Sequence, residues 1–151
     1  MSARRTLYVM RHGDAQAKAT VDSERSLTPV GQAEVAAASA RLPCAAIDLV
    51  VVSPFVRAQQ TAEIVVRERA ITVEPQECDW VTPSGRAPLV DEWLNTLKWE
   101  KALLISHQPL VGLLVEYYCG GDCRHFPTAG IVSIEGEVFG RGLCSLSWLT
   151  P

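Results

Sequence analysis

Residues 7–13 read Leu7-Tyr8-Val9-Met10-Arg11-His12-Gly13, a short apolar run that ends in an arginine, a histidine and a glycine. A continuous apolar run of this length is typical of a strand that is buried on both faces of a parallel sheet. Two similar runs occur later in the chain, at 49–52 and 103–105, and polar residues follow each of them. The pattern predicts a parallel sheet whose strands lead into polar loops.

Helical patterns separate these runs. Thr28-Pro29 predicts an N-cap and the first residue of an Ala-rich helix that ends near Leu42. Ser53-Pro54 predicts a second pair of the same kind. Stripes of apolar residues predict two more helices, one over about 86–99 and one that begins at Pro109.

Three further strands are predicted, over 71–73, 131–134 and 143–148. In the last of them apolar residues alternate with serines, which indicates antiparallel pairing with one solvated face. Alternating strands and helices predict an α/β fold with an open, mostly parallel sheet, helices on both faces and C-terminal strands that are partly antiparallel. The strand order does not follow from this pattern.

Length and composition limit the classes of protein. The 151 residues predict a single domain over 1–151, and the 48% apolar and 21% charged residues exclude intrinsic disorder. The net charge of −3 provides no basic field for nucleic acid or anionic lipid. No apolar run reaches the roughly 18 residues of a membrane span. We therefore expect a monomer that binds neither nucleic acid nor membrane.

The cysteines favour a reducing compartment. The chain has five of them, an odd number, and the apolar run at 7–10 is too short for the core of a signal peptide. We expect reduced thiols in a cytoplasmic protein. Cys119 and Cys123 are four residues apart, but no second pair at zinc spacing accompanies them, so no metal site is predicted.

The polar residues that follow the apolar runs are the candidate functional residues. Ligands of open α/β sheets bind outside the carboxyl ends of the strands. Three segments that follow predicted apolar strands lie at this edge, and we call them junctions. Together they contain two arginines and two histidines. The junctions are Arg11-His12-Gly13-Asp14, Ser53-Pro54-Phe55-Val56-Arg57 and Ser106-His107-Gln108-Pro109.

These residue types suit a phosphoryl group. The planar fork of arginine matches phosphate oxygens, and helix N-termini add partial positive charge. A neutral imidazole has a free lone pair near pH 7 and is a competent nucleophile. The sequence therefore predicts a pocket in which one histidine attacks phosphorus while the other, protonated, donates to the phosphoryl oxygens.

Four segments then resemble a known family. Residues 7–13 resemble the Arg-His-Gly signature of the histidine phosphatase superfamily, the phosphoglycerate-mutase-like clan, and 25–31 resemble its Arg-x-Leu-Thr-x-x-Gly segment. Residues 53–62 resemble its Ser-Pro-x-x-Arg-Ala-x-Gln-Thr-Ala box, and Ile105-Ser106-His107 its second histidine box. The resemblance implies a phosphoglycerate-mutase-like three-layer sandwich. The short length and the segment Thr82-Pro83-x-Gly85 are similar to the small SixA-type phosphohistidine phosphatases.

The resemblance implies a role for each matching residue. His12 is expected to be the nucleophile that becomes transiently phosphorylated, with the Gly13 carbonyl orienting its ring. Arg11 and Arg57 are expected to bind the phosphoryl oxygens, and His107 to complete the pocket as a cationic donor. These charges would do the work of a metal ion, so no metal and no cofactor are expected.

Three other residues have less definite roles. The backbone N–H of Gln108 is expected to add a phosphate contact. Larger members of the clan carry an acid that protonates an alkoxide leaving group, but Asp79 stands only near that place, and Asp14 and Asp79 are auxiliary candidates. A phosphohistidine leaves as imidazole, with a pKa of about 6.5, and needs little acid help. The expected substrate is a phosphorylated histidine-containing protein, such as a histidine phosphotransfer domain.

Other functions remain open at this level. The first alternative is a small-molecule phosphomonoesterase of the same superfamily. A non-catalytic phosphate-binding module is a second, although His12 and both arginines are present. A nucleotide-binding flavodoxin-like protein is a third, but the loop at 11–13 has one glycine where a dinucleotide turn needs several.

Overall fold

The computed structural model describes residues 4–43 and 46–150. Its strands are β1 (Arg5–Arg11), β2 (Leu49–Val52), β3 (Gln76–Glu77), β4 (Lys101–Ser106), β5 (Ile131–Gly136) and β6 (Ser145–Trp148). They form one sheet in the order β3-β2-β4-β1-β5-β6. The first four strands of the chain pair in parallel, whereas β5 is antiparallel to both β1 and β6. The predicted mostly parallel sheet with antiparallel C-terminal strands is confirmed.

Helices cover both faces of this sheet. They are α1 (Pro29–Ser39), α2 (Val56–Arg69), α3 (Ala87–Leu94) and α4 (Leu110–Cys119). Side chains that alternate along β1 enter two separate cores: Leu7 and Val9 join α3 and α4, and Tyr8 and Met10 join α1 and α2. Burial of both faces explains why the central strands read as continuous apolar runs.

The start of α1 follows the prediction, and the start of α2 does not. The side-chain oxygen of Thr28 accepts the N–H of Gly31 at 2.9 Å, which is the geometry of an N-cap, and α1 ends at Ser39, three residues before the predicted Leu42. The prediction of Ser53-Pro54 as a cap pair is wrong, because α2 begins at Val56. Ser53 is instead part of the site described below.

The strand predicted at 71–73 is absent from the described chain. α2 ends at Arg69 with Ala70 as its C-cap, and the side chains of Ile71 and Val73 pack against the core without a strand partner. Strand β3 lies further on, at Gln76–Glu77, and is exposed. Because this edge strand is held by backbone pairing to β2 and its side chains are exposed, its residues are polar. A search for apolar runs therefore does not find it.

The helix predicted over 86–99 is also shorter, because α3 stops at Leu94. Trp99 is buried beyond its end, and its indole N–H donates to the Leu94 carbonyl at 3.1 Å. Trp99 therefore belongs to the core without belonging to the helix. Pro109 is the N-cap of α4 rather than its first residue.

Three features that the composition concerns are membrane-spanning helices, cysteines and metal-binding groups. Within 4–43 and 46–150, no helix is long and apolar enough to cross a membrane. The thiols of Cys78, Cys119, Cys123 and Cys144 are free, and Cys44 lies outside the described residues. The described chain contains no group of three or more histidine, cysteine or acidic side chains that could hold a metal ion.

Candidate active site

Three strand ends meet at one edge of the sheet. Arg11 is in register with Ser106, and the backbone N–H of His12 donates to the Ser106 carbonyl at 3.0 Å. The N–H of Ser53 donates to the Ile105 carbonyl at 3.2 Å. Parallel pairing thus brings all three predicted junctions together.

His12 is buried and held in one tautomer. Its Nδ1 lies 2.7 Å from the Gly13 carbonyl, which can only accept, so Nδ1 carries the proton. Its Nε2 accepts the Nε–H of Arg57 at 3.3 Å. Burial lowers the pKa of His12 to about 4, and the charges of Arg57 and Arg11 add to this, although the Gly13 carbonyl acts against them. At neutral pH the Nε2 lone pair is therefore available.

His107 packs against His12. Its Nε2 lies 2.7 Å from the hydroxyl oxygen of Ser53, which already accepts the N–H of Phe55. When the hydroxyl donates to Nε2, His107 carries its own proton at Nδ1. Burial lowers the pKa of His107 to about 2, with added effects of His12 and Arg57. Burial therefore favours the neutral ring, and the role of cationic donor expected from sequence stays a prediction.

Arg57 enters the site from the first turn of α2. The side chain is nearly fully buried, and its Nε–H points at His12. Its other nitrogens donate to Asp22, Nη1 to the backbone oxygen at 2.9 Å and Nη2 to Oδ2 at 3.3 Å. The guanidinium carbon lies 4.9 Å from the centre of the Phe55 ring. Each nitrogen of the guanidinium therefore has a defined partner.

Arg11 closes the other side of the site at the end of β1. Its Nη1 donates to the Phe126 carbonyl at 2.7 Å. Two buried side-chain nitrogens, Arg11 Nε and His107 Nδ1, have no hydrogen-bond partner among the described residues. An unpaired buried donor costs roughly 1–3 kcal/mol. Both nitrogens belong to neighbours of His12, so an oxyanion bound at His12 would satisfy them.

Gly13 is required by the approach of α1. A Cβ atom at this position would lie 2.6 Å from a methyl carbon of Val35 and 2.9 Å from the backbone oxygen of Gly31. The N–H of Gly13 donates to the hydroxyl of Thr61 on α2 at 3.2 Å. The loop after the nucleophile is therefore fixed between two helices.

Neither acidic candidate forms a hydrogen bond with an imidazole among the described residues. Asp14 Oδ2 accepts the hydroxyl of Thr28 at 2.7 Å, next to the start of α1. Asp79 is exposed on a short 3-10 turn. The charges that lower the pKa of His12 are those of arginines, and those that lower the pKa of His107 are those of His12 and arginines; neither aspartate is among them.

Gln108 supports the site through its side chain. Its Nε2 donates to the Arg124 carbonyl at 2.9 Å, and its Oε1 accepts the Phe126 N–H at 3.3 Å. Because Phe126 also accepts from Arg11, Gln108 fixes the loop that holds that guanidinium. These side-chain contacts are additional to the phosphate contact that the sequence predicts for the backbone N–H of Gln108.

Sequence reasoning missed Asp22 and used Arg25 only as a motif position. Both lie at the 3-10 turn Asp22–Glu24, where Arg25 Nε donates to Asp22 Oδ1 at 2.9 Å. Partial burial acts to raise the pKa of Asp22, but Arg57 and Arg25 outweigh it and lower that pKa, so the carboxylate is ionised. The Asp-x-x-Arg spacing was the available signal, because it places both side chains on one side of such a turn.

Comparison with known proteins agrees with this geometry. Residues 7–78 match the profile of the histidine phosphatase superfamily (branch 1). The chain is 37% identical over 142 residues to phosphohistidine phosphatase SixA of Escherichia coli, covering 90% of this chain and 88% of that protein. It is 34% identical to the SixA homolog of Haemophilus influenzae, over 72% of this chain and 74% of that one.

A solved structure extends the similarity to the fold. The structure of the protein histidine phosphatase SixA complexed with tungstate superposes with a TM-score of 0.83 at 33% identity, covering 95% of this chain and 94% of that one. This match confirms the phosphoglycerate-mutase-like sandwich implied by the sequence. The chain is a phosphatase and belongs to the histidine phosphatase superfamily, in its SixA-type branch.

Proposed function

We propose that this phosphatase hydrolyses a phosphohistidine carried by a protein, through a covalent intermediate on His12 and without a metal ion. One observation carries the proposal: the unprotonated Nε2 of His12 accepts from Arg57 Nε, and two buried nitrogens without a hydrogen-bond partner in the described part of the chain belong to Arg11, its neighbour in the chain, and to His107, whose ring packs against it. The arrangement supplies a nucleophile together with donors for a phosphoryl group. The names of the relatives from Escherichia coli and Haemophilus influenzae support the substrate class.

The first step transfers the phosphoryl group to His12. The Nε2 lone pair forms a bond to phosphorus, and the bond between phosphorus and the substrate ring nitrogen breaks. The electron pair of that bond stays on the leaving nitrogen. When the other nitrogen of the substrate ring carries a proton, the ring departs as neutral imidazole and no acid has to act. His12 becomes a phosphoimidazolium whose Nδ1–H is bonded to the Gly13 carbonyl.

The second step releases phosphate. The oxygen of a water molecule bonds to phosphorus, the bond to Nε2 breaks, and its electron pair returns to Nε2. One proton of the water passes to the solvent as hydrogen phosphate leaves. Because His12 keeps its proton at Nδ1 throughout, it departs as a neutral ring, which is a good leaving group.

Charge on the protein stabilises the transferring group. Arg11 and Arg57 are cationic, and His107 Nδ1–H is a neutral donor in the tautomer described above. Preorganised donors of this kind stabilise the charge that develops on the phosphoryl oxygens. The relative of known structure is complexed with tungstate, a tetrahedral oxyanion, which supports the binding of an oxyanion by this chain.

The protein substrate and the compartment belong to the same proposal. A phosphohistidine on a protein fits a site in which Asp22, the carboxylate bound to Arg57, is ionised and so cannot act as an acid. The proposal includes a monomeric enzyme, as expected from the sequence. The free cysteines suit the cytoplasm, where such a substrate would be met.

A substrate panel tests the proposal. The enzyme is incubated with a ³²P-phosphohistidine protein, sugar phosphates and alkyl phosphates, each with and without EDTA. We expect release of phosphate from the phosphohistidine protein alone, at a rate that EDTA does not change. Faster turnover of a sugar phosphate would favour the small-molecule phosphomonoesterase. Loss of activity in EDTA that Mg²⁺ restores would contradict the metal-free mechanism.

A further inference from the structure

We infer that Asp22 is a positioning residue, which turns the guanidinium of Arg57 so that its Nε–H faces the nucleophilic nitrogen of His12. The inference rests on the proposed function in one respect, since it takes His12 as the nucleophile and Arg57 as a phosphoryl-binding residue. Asp22 lies on an exposed turn and touches neither imidazole.

Asp22 holds Arg57 by two separate contacts. Its backbone oxygen accepts Nη1 at 2.9 Å, and its carboxylate oxygen Oδ2 accepts Nη2 at 3.3 Å. Two contacts from one residue fix the rotation of the planar guanidinium about its long axis. The remaining nitrogen, Nε, then points at His12 Nε2 at 3.3 Å. The ring of Phe55 covers one face of the same group at 4.9 Å.

Asp22 is itself held in place. Its second oxygen, Oδ1, accepts Arg25 Nε at 2.9 Å, and Arg25 Nη1 donates to the Gln16 carbonyl at 2.9 Å. The contacts therefore run from the loop at Gln16 through Arg25 and Asp22 to Arg57. The Asp22 side chain is 62% exposed, so it adds little to the stability of the core. The ion pair between exposed Asp22 and buried Arg57 is therefore better explained by a role in orienting the guanidinium than by a contribution to the free energy of folding.

The consequence for the reaction is geometric. An arginine at the end of a flexible side chain has several rotamers, and only some aim a nitrogen at the reacting phosphorus. A displacement of about 1 Å in such a site can cost on the order of 10²-fold in rate. Removal of Asp22 should therefore slow the chemical step while Arg57 stays charged and the fold stays intact.

Single variants test this with a control on the same turn. Asp22→Ala removes the carboxylate, Asp22→Asn keeps one acceptor oxygen, and Glu24→Ala removes an exposed charge two residues away. We expect kcat to fall about tenfold or more in Asp22→Ala and less in Asp22→Asn, with Glu24→Ala unchanged within twofold. The melting temperature should stay within about 2 °C in all three. A parallel loss of melting temperature and kcat, or an unchanged kcat, would overturn the inference.

A double-mutant cycle separates positioning through Arg57 from any direct effect. Asp22→Ala in an Arg57→Lys background should cost almost nothing further, because the group that Asp22 orients has already been replaced. Losses that simply add would overturn the inference. The binding of inorganic phosphate gives an independent readout, and we expect Asp22→Ala to bind it more weakly. Tighter binding would mean that Asp22 competes with phosphate for the Arg57 guanidinium, and it would overturn the inference.

The same variants are also assayed with 4-nitrophenyl phosphate. That substrate reports on Arg57 whether or not phosphohistidine is the natural substrate. Failure of the proposed function would appear as no phosphohistidine turnover by the wild type, while the Asp22 effect persists on the aryl phosphate. Failure of the present inference would appear as equal activity of wild type and Asp22→Ala on both substrates.

Discussion

The imidazole rings of His12 and His107 meet edge to face, with their centroids 5.0 Å apart and their planes at 61°. Two protonated rings could not remain so close among arginine side chains, and burial keeps both neutral. One ring therefore offers a lone pair and the other a hydrogen-bond donor, at the same pH. A bound dianion would raise both pKa values, since an opposite charge favours the protonated form.

The nucleophile is tested by removing its ring. We expect His12→Ala to abolish turnover, because no other group in the described site can form the covalent intermediate. Acid-labile, alkali-stable label from ³²P-substrate should appear on the wild type and be absent from the variant. His125→Ala is the matched control, as His125 is exposed. Activity of His12→Ala close to that of the wild type would disprove the mechanism.

The fork of Arg57 is tested by a substitution that keeps its charge. Arg57→Lys cannot reproduce contacts to His12 and Asp22 at once, and we expect kcat/KM to fall on the order of 10²-fold. Arg67→Lys is the control on the same helix, because Arg67 is 71% exposed and its pair with Glu68 lies at the surface. Steady-state kinetics decide the matter: a loss under about threefold would place Arg57 outside the phosphate pocket.

The sequence was sufficient for the parallel core and for the junctions that carry the chemistry. Runs such as 49–52 are apolar because both sheet faces are covered, so their signal is strong. It was insufficient at 71–73, where apolar side chains pack against the core without pairing, and at β3, where pairing involves polar residues. The local hydrophobic pattern predicts which side chains are buried. It does not predict backbone pairing at the edge of the sheet, because that pairing depends on the neighbouring strand.

The site shows the same division. His12, Arg57 and His107 could be placed together because parallel strands end at one edge. The neutral state of His107 could not be predicted, since it depends on burial and on charges brought from other segments. The contact between Asp22 and Arg57 could not be predicted either, because the Asp-x-x-Arg spacing indicates only the local pair with Arg25, and Asp22 follows no strand of the sheet.

Close packing between α1 and the nucleophile loop gives another prediction. A Cβ atom at Gly31 would meet the backbone oxygen of Asp14, which cannot move without shifting the loop after His12. We expect Gly31→Ala to lower kcat about tenfold and to destabilise by roughly 1–3 kcal/mol, although alanine favours helix by about 1 kcal/mol. Gly140→Ala is the control, since its Cβ would make only an ordinary contact with Leu143. A more stable, fully active Gly31→Ala would contradict this packing.

The neutral histidines predict acid sensitivity of the fold. Their pKa values of about 4 and about 2 lie below the value of roughly 6.5 in the unfolded chain. Their contribution to stability is therefore complete above pH 6.5 and is lost as the pH falls toward 4 for His12 and toward 2 for His107. Between pH 7 and 5 each ring should lower the free energy of unfolding by about 2 kcal/mol. Chemical denaturation of the wild type and of His12→Gln should show a smaller pH slope in the variant, and equal slopes would contradict the assignment.

Leaving-group chemistry decides between the proposed function and the phosphomonoesterase. Asp14 is bonded to Thr28 and Asp79 is exposed, so neither is held beside the imidazoles. We expect the wild type to turn over phosphohistidine and activated aryl esters, and barely to hydrolyse alkyl phosphates. The reason is that an imidazole with a pKa of about 6.5 leaves without an acid, whereas an alkoxide does not.

The variants Asp14→Asn and Asp79→Asn complete this prediction. Both should keep phosphohistidine turnover within a few-fold of the wild type, because no proton has to reach the leaving ring. Asp14→Asn retains an acceptor oxygen for the Thr28 hydroxyl, so the start of α1 should remain intact. Rates are compared on a phosphohistidine protein and on an alkyl phosphate. Efficient hydrolysis of the ester by the wild type, together with a large loss in either variant, would show that an acid operates and that the small-molecule function is correct.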